Sequence, residues 1–237
     1  MKRRPCLIET CESCSLRAKA ILCDLPAEDL AAFQKIKRFL LYDSHQVVFY
    51  EGHACLDLYL LCAGTVKLTR TSVRGQRQIL GIVDSGELIE KHAFRDGAIH
   101  EATCETLERS SICLIEKEPY LALLRHNSDL ALKLIELLGK ELGRNVDRLE
   151  QYMFKTARER LAALLLELGH RFGRTAADGV LVRLILKREE IAEMAGVALE
   201  TVIRLLRAFR EEGLVRIEGR TITLLNPDRL ARIARLF

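Results

Sequence analysis

The stretch that most restricts what this chain can become runs from Lys187 to Leu206, KREEIAEMAGVALETVIRLL, whose spacing fits two short helices packed across a tight turn. Ile191, Ala192, Val202 and Leu205 fall where two such helices bury each other. Gly196 falls in the turn, where a residue able to take a positive φ is wanted. The second helix turns Val202, Leu205, Leu206 and Phe209 inward, which leaves Glu200, Ile203, Arg204 and Arg207 together on another face at helical spacing.

Gly213 ends that helix, and the run LVRIEGRTITLL places two β-branched segments either side of Glu218, Gly219 and Arg220, the pattern of a hairpin wing. An ordinary helical pair packed for stability would not need the exposed cations Arg204, Arg207 and Arg210, or Arg216 and Arg220 in the wing. Such cations neutralise phosphates, while Glu200 accepts from cytosine and Arg204 donates to guanine. The implied partner is the major groove of double-stranded DNA.

The chain has 237 residues, 49% of them hydrophobic, enough for a sizeable core and one to two domains. Its net charge of +4 is mild, but residues 155–237 hold sixteen Lys or Arg against eleven Asp or Glu. The cationic excess therefore sits with the expected DNA reader, which fits nucleic acid better than a membrane. The N-terminus MKRRPCLIETCESC carries no apolar run of signal-peptide length and no segment approaches a membrane span, so the expectation is a cytoplasmic protein with no membrane partner.

Eight cysteines in a reducing compartment are too many for packing alone and poorly suited to a disulfide framework. Cys6, Cys11, Cys14 and Cys23 follow one another with gaps of four, two and eight residues, and only the Cys11–Cys14 gap is tight enough to chelate one centre. Soft thiolates at this spacing suit zinc or an iron-sulfur cluster, against the alternative of a flexible tail whose thiols merely oxidise. Of the remaining cysteines, Cys62 in YLLCAG is most simply a buried apolar side chain, Cys55 and Cys104 are given no chemistry, and Cys113 is ambiguous.

The spacing predicts an α+β protein. A short helix from Leu25 is followed, from Lys37 to Ile115, by glycine-punctuated β runs that argue a small antiparallel roll. From Pro119 to about Phe154 a long helix carries Ile135, Leu138, Leu142, Asn145 and Leu149 at alternating steps of three and four, the seam of a parallel homodimer. Thr156 and Glu159 form a capping box that opens the next helix, and residues 173–179 are expected to be a loop. The implied division is a cysteine-rich segment 1–24, a roll 25–118, a dimerisation helix 119–154 and a winged helix-turn-helix domain 155–237.

In this order, with YEG at 50–52, LYLLCAGTVKL at 58–68, SGEL at 85–88, ERLAALL at 159–165 and ETVIRLL at 200–206, nearly the whole chain resembles the CRP/FNR family of bacterial transcription regulators. The resemblance implies a cyclic-nucleotide-binding-like roll, a non-enzymatic regulator, a two-fold symmetric DNA site and RNA polymerase as a partner. Its cyclic-nucleotide branch carries an Arg-Ser or Arg-Thr pair after Gly-Glu-Leu. Here Gly86, Glu87 and Leu88 lead into IEKHAFRDGAIHEAT, so cyclic AMP is not the expected effector.

The oxygen-sensing FNR branch holds a [4Fe-4S] cluster, and Cys11, Cys14 and Ser15 match its Cys-x-x-Cys-Ser pattern. The resemblance implies Cys113 as the central ligand and Cys23 as the remaining one, with Cys6 as its substitute because the gap before Cys23 is longer than the family's usual one. Glu200 and Arg204 match the family's base-reading pair, whereas Ile203 replaces a serine and can pack on a thymine methyl. Asn145 stands where the family's seam has an aspartate. Rival sensors on the same fold are haem on His45, His53, His92 or His100, an organic effector, or zinc at the cysteines. A thiol oxidoreductase using Cys11 and Cys14 is the weakest alternative, because that pair does not open a helix after a strand.

Overall fold

A computed structural model of the chain describes Cys14, Ala20 and residues 23–183, 186–219 and 221–235. It divides into two compact units, residues 1–144 and 145–237.

In the first unit Pro26 caps helix α1 (Ala27–Lys35), whose inward face buries Leu30 and Phe33. Seven strands follow: β1 (Lys37–Tyr42), β2 (Val47–Phe49), β3 (Asp57–Ala63), β4 (Thr65–Thr71), β5 (Arg77–Asp84), β6 (Thr103–Thr106) and β7 (Ser110–Glu116), with a 3-10 turn at Lys91–Phe94. They pair antiparallel into two sheets, ordered β1-β7-β3 and β2-β6-β4-β5, and make the expected roll.

The near-continuous apolar run of β3 has a physical reason, since the first sheet is buried on both faces. Leu58, Leu60 and Cys62 pack towards the helices with Cys113 and Ile115, while Leu61 packs towards the second sheet with Ile112 and Leu114. Gly64 makes the β3–β4 turn possible, for at φ +96° any Cβ there would lie 2.8 Å from the Ser110 Cα.

The helical stretch expected from Pro119 is interrupted. Helix α2 (Lys117–His126) ends at Asn127, whose extended backbone and side chain start α3 (Ser128–Phe154), with the Leu130 N–H donating to Asn127 Oδ1 at 3.0 Å. Leu130 and Leu134 of α3 are buried against the roll with Phe33 and Tyr120, and Leu137 and Leu138 pack beside them. Leu132, Ile135, Leu142, Val146, Leu149 and Met153 are exposed.

The second unit is built on α4 (Ala157–Phe172), opened by the anticipated capping box, in which Glu159 Oε2 accepts from the Thr156 N–H at 2.7 Å and Thr156 Oγ1 from the Glu159 N–H at 3.3 Å. The segment expected to be a loop is instead a hairpin of β8 (Gly173–Ala176) and β9 (Gly179–Arg183). Its glycines serve close backbone approach: a Cβ on Gly179 would come within 3.0 Å of the Leu224 carbonyl carbon. Helices α5 (Arg188–Ala195) and α6 (Leu199–Glu211) precede β10 (Val215–Glu218) and β11 (Thr221–Leu224), giving a sheet ordered β10-β11-β9-β8. A last helix, α7 (Pro227–Ala234), is started by Asn226, whose side chain accepts from the Arg229 N–H at 2.9 Å.

Candidate DNA interface and cysteine cluster

The turn between α5 and α6 is closed by Gly196 at φ 63° and held from behind by Arg160. The Arg160 guanidinium donates to the Ala195 carbonyl at 2.9 Å and to the Gly196 carbonyl at 3.2 Å. Arg158 grips the far end of α6 through Glu212, its Nη2 donating to both carboxylate oxygens at 2.7 and 2.8 Å, a charge-assisted contact. Val202, Leu206 and Phe209 are buried, as their spacing required.

The opposite face of α6 presents Glu200, Ile203, Arg204 and Arg207 to solvent, and Ile203, a large apolar side chain, is 53% exposed. Among the described residues Glu200 and Arg204 have no ion-pair partner, whereas Arg207 pairs with Glu211 one turn on at 2.8 Å. Thirteen residues make α6 about 20 Å long, and one such helix fits a major groove about 12 Å wide. In the wing, Arg216 is engaged by Asp178 of the β8–β9 turn and by Glu218 at 3.5 Å. Arg220 lies outside the described residues.

In the first unit Cys113 sits mid-strand in β7, opposite Phe39 of β1 and Leu60 of β3, and is 2% exposed. Cys62, two residues beyond Leu60 on the same face, lies in the same apolar cluster, its thiol donating to the Leu60 carbonyl at 3.7 Å. The two thiols polarise each other. The Cys113 side chain and backbone hold the Cys62 thiol below its ordinary value, and Cys62 together with burial pushes Cys113 well above it. Lys37 favours the thiolate at both.

Cys23 is buried in the same apolar cluster, close enough for its charge to raise Cys113 and Tyr120, and Cys14 packs against that cluster from its edge. Cys23, Cys62 and Cys113 thus belong to one apolar cluster and Cys14 packs against it; the presence of Cys62 there is something no local pattern announced. Cys6 and Cys11 lie outside the described residues. Thiols are the donor type that a soft metal or an iron-sulfur cluster takes. Cys104, on β6, belongs to the other core, where burial raises its thiol.

Of the histidines weighed as haem ligands, His45 and His53 are exposed, His92 is half-buried and His100 is buried. The His100 ring stacks on Phe49 with centroids 3.8 Å apart, which leaves no room for a macrocycle on that face.

Two family models match the chain: a cyclic nucleotide-binding domain over residues 39–127 and a Crp-like helix-turn-helix domain over residues 159–233. The chain is 29% identical over 225 residues to the fumarate and nitrate reduction regulatory protein of Escherichia coli K12, covering 94% of this chain and 90% of that one. It is 32% identical over 194 residues to the cyclic AMP receptor protein of Thermus thermophilus, covering 82% and 87%. Among solved structures, FixK2 from Bradyrhizobium japonicum superposes with a TM-score of 0.74 at 25% identity, over 84% of this chain and 97% of that one.

Proposed function

Because the chain belongs to the CRP/FNR family of DNA-binding transcription regulators, we propose that it binds a two-fold symmetric DNA site as a homodimer and senses oxygen, nitric oxide or redox state through a [4Fe-4S] cluster on Cys11, Cys14, Cys23 and Cys113. The observation that supports this reading is that Cys23 and Cys113 lie in one buried apolar cluster and Cys14 packs against the same cluster. Bound there, such a cluster supplies a centre whose stability depends on redox state and on its thiolate ligands.

The protein's own residues supply the coupling. Cys113 is fixed in a central strand, while Cys14 and Cys23 belong to the N-terminal segment. Ligation by all of them ties that segment to the core that also grips Leu130, Leu134, Leu137 and Leu138 of α3. Loss of ligation releases the segment from that core and alters the packing of α3.

On its exposed side α3 carries Ile135, Leu142 and Leu149, flanked by Leu132, Val146 and Met153, an apolar stripe too long for a monomer to leave in water. Pairing of two copies along it would give the protein two α6 helices, one for each half-site of a two-fold symmetric DNA. Leu138 is partly turned to its own roll, and Asn145 is exposed on the helix surface. Glu200, Ile203 and Arg204 read base edges, Arg207 lies towards the backbone, and RNA polymerase is the partner through which such a regulator acts.

The reading is tested by comparing anaerobically purified and aerated protein for binding to a palindromic promoter fragment. Tight, salt-dependent binding confined to the anaerobic form is expected, and equal affinity of the two forms would count against cluster control.

A further inference from the structure

Deep in the roll, Cys55, Glu90 and His100 face one another with ligand atoms all within 4.8 Å. The three residues are 3%, 3% and 2% exposed. We propose that these three side chains form a second metal site, for a divalent cation of the zinc class, distinct from the cysteine cluster that the proposed sensor uses.

The donor set is a borderline one of sulfur, nitrogen and oxygen, the mixture that zinc accepts in tetrahedral coordination. Bonds of about 2.0–2.3 Å place tetrahedral ligand atoms about 3.3–3.8 Å apart, so the present spacing needs only small side-chain adjustments. The charges also close, since one thiolate and one carboxylate balance a dication beside a neutral imidazole. That matters where an uncompensated charge is costly to bury.

Without a cation the thiol donates to the Asp57 carbonyl at 3.5 Å, and burial, with Glu90 next, pushes Cys55 up to about 11. A bound dication opposes both effects. It would take the place of the proton in the hydrogen bond between His100 Nδ1 and Glu90.

The surroundings are already set for this. Backbone bonds lace the two loops that carry the site: Cys55 N–H to the Ala98 carbonyl at 2.9 Å, His100 N–H to the His53 carbonyl at 2.8 Å and Gly52 N–H to the His100 carbonyl at 2.8 Å. Phe49 fixes the imidazole plane by stacking, and Glu90 Oε1 accepts from the Glu101 N–H at 3.2 Å, as outer partners of metal ligands do. His92 Nε2 lies 3.6 Å from Glu90 Oε1 and 3.2 Å from the Ile99 carbonyl oxygen, and the fourth position is left to a water or an exogenous ligand. Lys91, adjacent to Glu90, pairs with Glu141 of α3 at 3.3 Å, so occupancy of the site would bear on the same helix that the cysteine cluster grips.

The test uses full-length protein carrying Cys11→Ser and Cys14→Ser, stripped with chelator and titrated anaerobically with Co²⁺, then with Zn²⁺. One Co²⁺ per chain is expected, with visible tetrahedral bands and a thiolate charge-transfer band, all removed by Zn²⁺. Adding Cys55→Ala should abolish the charge-transfer band and weaken binding more than about 100-fold, beyond the loss that removal of an outer-shell partner causes. His100→Gln should weaken it comparably, and Cys104→Ala should leave it unchanged. Circular dichroism identifies which variants fold, and either ligand variant that folds is sufficient. No Co²⁺ bound in the parent, or unchanged binding in a folded ligand variant, overturns the site. The proposed sensor is untouched by either result, because its ligands Cys11 and Cys14 are already absent from this protein.

Discussion

Cys62 and Cys113 lie on neighbouring strands of one sheet in the core of the roll, and each acts on the other's ionisation. If Cys113 is a cluster ligand, Cys62 is the thiol beside it. Net charge and hydrogen bonding around the ligand sulfurs are among the determinants of cluster potential. Cys62→Ala is therefore expected to keep its full iron content when prepared anaerobically but to lose the cluster in air at a different rate from wild type, followed by absorbance. Loss of the iron itself would make Cys62 a ligand and displace one of the N-terminal cysteines from the set.

Glu200 and Arg204 face solvent with no ion-pair partner among the described residues, which is what the proposed base reading needs. Replacing either by alanine should cost about 1–3 kcal/mol of discrimination at one base pair of each half-site, measured by competition among single-base variants. An unchanged ranking of sites in Arg204→Ala would refute the placement of the reading face on α6.

Arg216 is held by Asp178, and that pairing withholds a cation from the DNA backbone. Asp178→Asn should strengthen binding to all sequences alike and steepen the salt dependence by about one phosphate contact. The guanidinium also holds the Asp178 carboxyl below its ordinary value. The pair is thus fully formed above the usual carboxylate range and is lost only as pH falls through the lowered value, so titration across neutral pH should not mimic the substitution. A salt slope identical to wild type would show that Arg216 takes no part.

The winged reader was legible because its signals are local: helical spacing, one glycine turn and two short β runs separated by Glu218, Gly219 and Arg220. The hairpin at 173–183 was missed because Gly173 and Gly179 look like loop punctuation, while the close backbone contact that Gly179 makes is with Leu224, on a strand far along the chain. The break at Asn127 was signalled by an N-cap residue ahead of Ser128 and Asp129 but was hidden inside a long apolar periodicity. The meeting of Cys62 with Cys113, and of Cys55 with Glu90 and His100, depends on strand register and loop pairing between distant segments. Neither has a counterpart in local spacing.

Asn145, exposed on α3, replaces the aspartate of the resembled branch and so removes a charge that would be repelled by its copy across a parallel dimer. The cluster-free protein is expected to remain dimeric at micromolar concentration, and Asn145→Asp to make the dimer depend on the cluster. Sizing by light scattering separates these, and a clean monomer from the aerated wild type would contradict the assignment.

The central claim is tested most directly by iron and acid-labile sulfide analysis of protein purified without oxygen, beside Cys113→Ser prepared in the same way. The account predicts about four iron and four sulfide per wild-type chain and almost none in the variant, whose hydroxyl is a poor ligand for iron. Wild-type protein free of iron and sulfide, or a Cys113→Ser protein with its full complement, would contradict it.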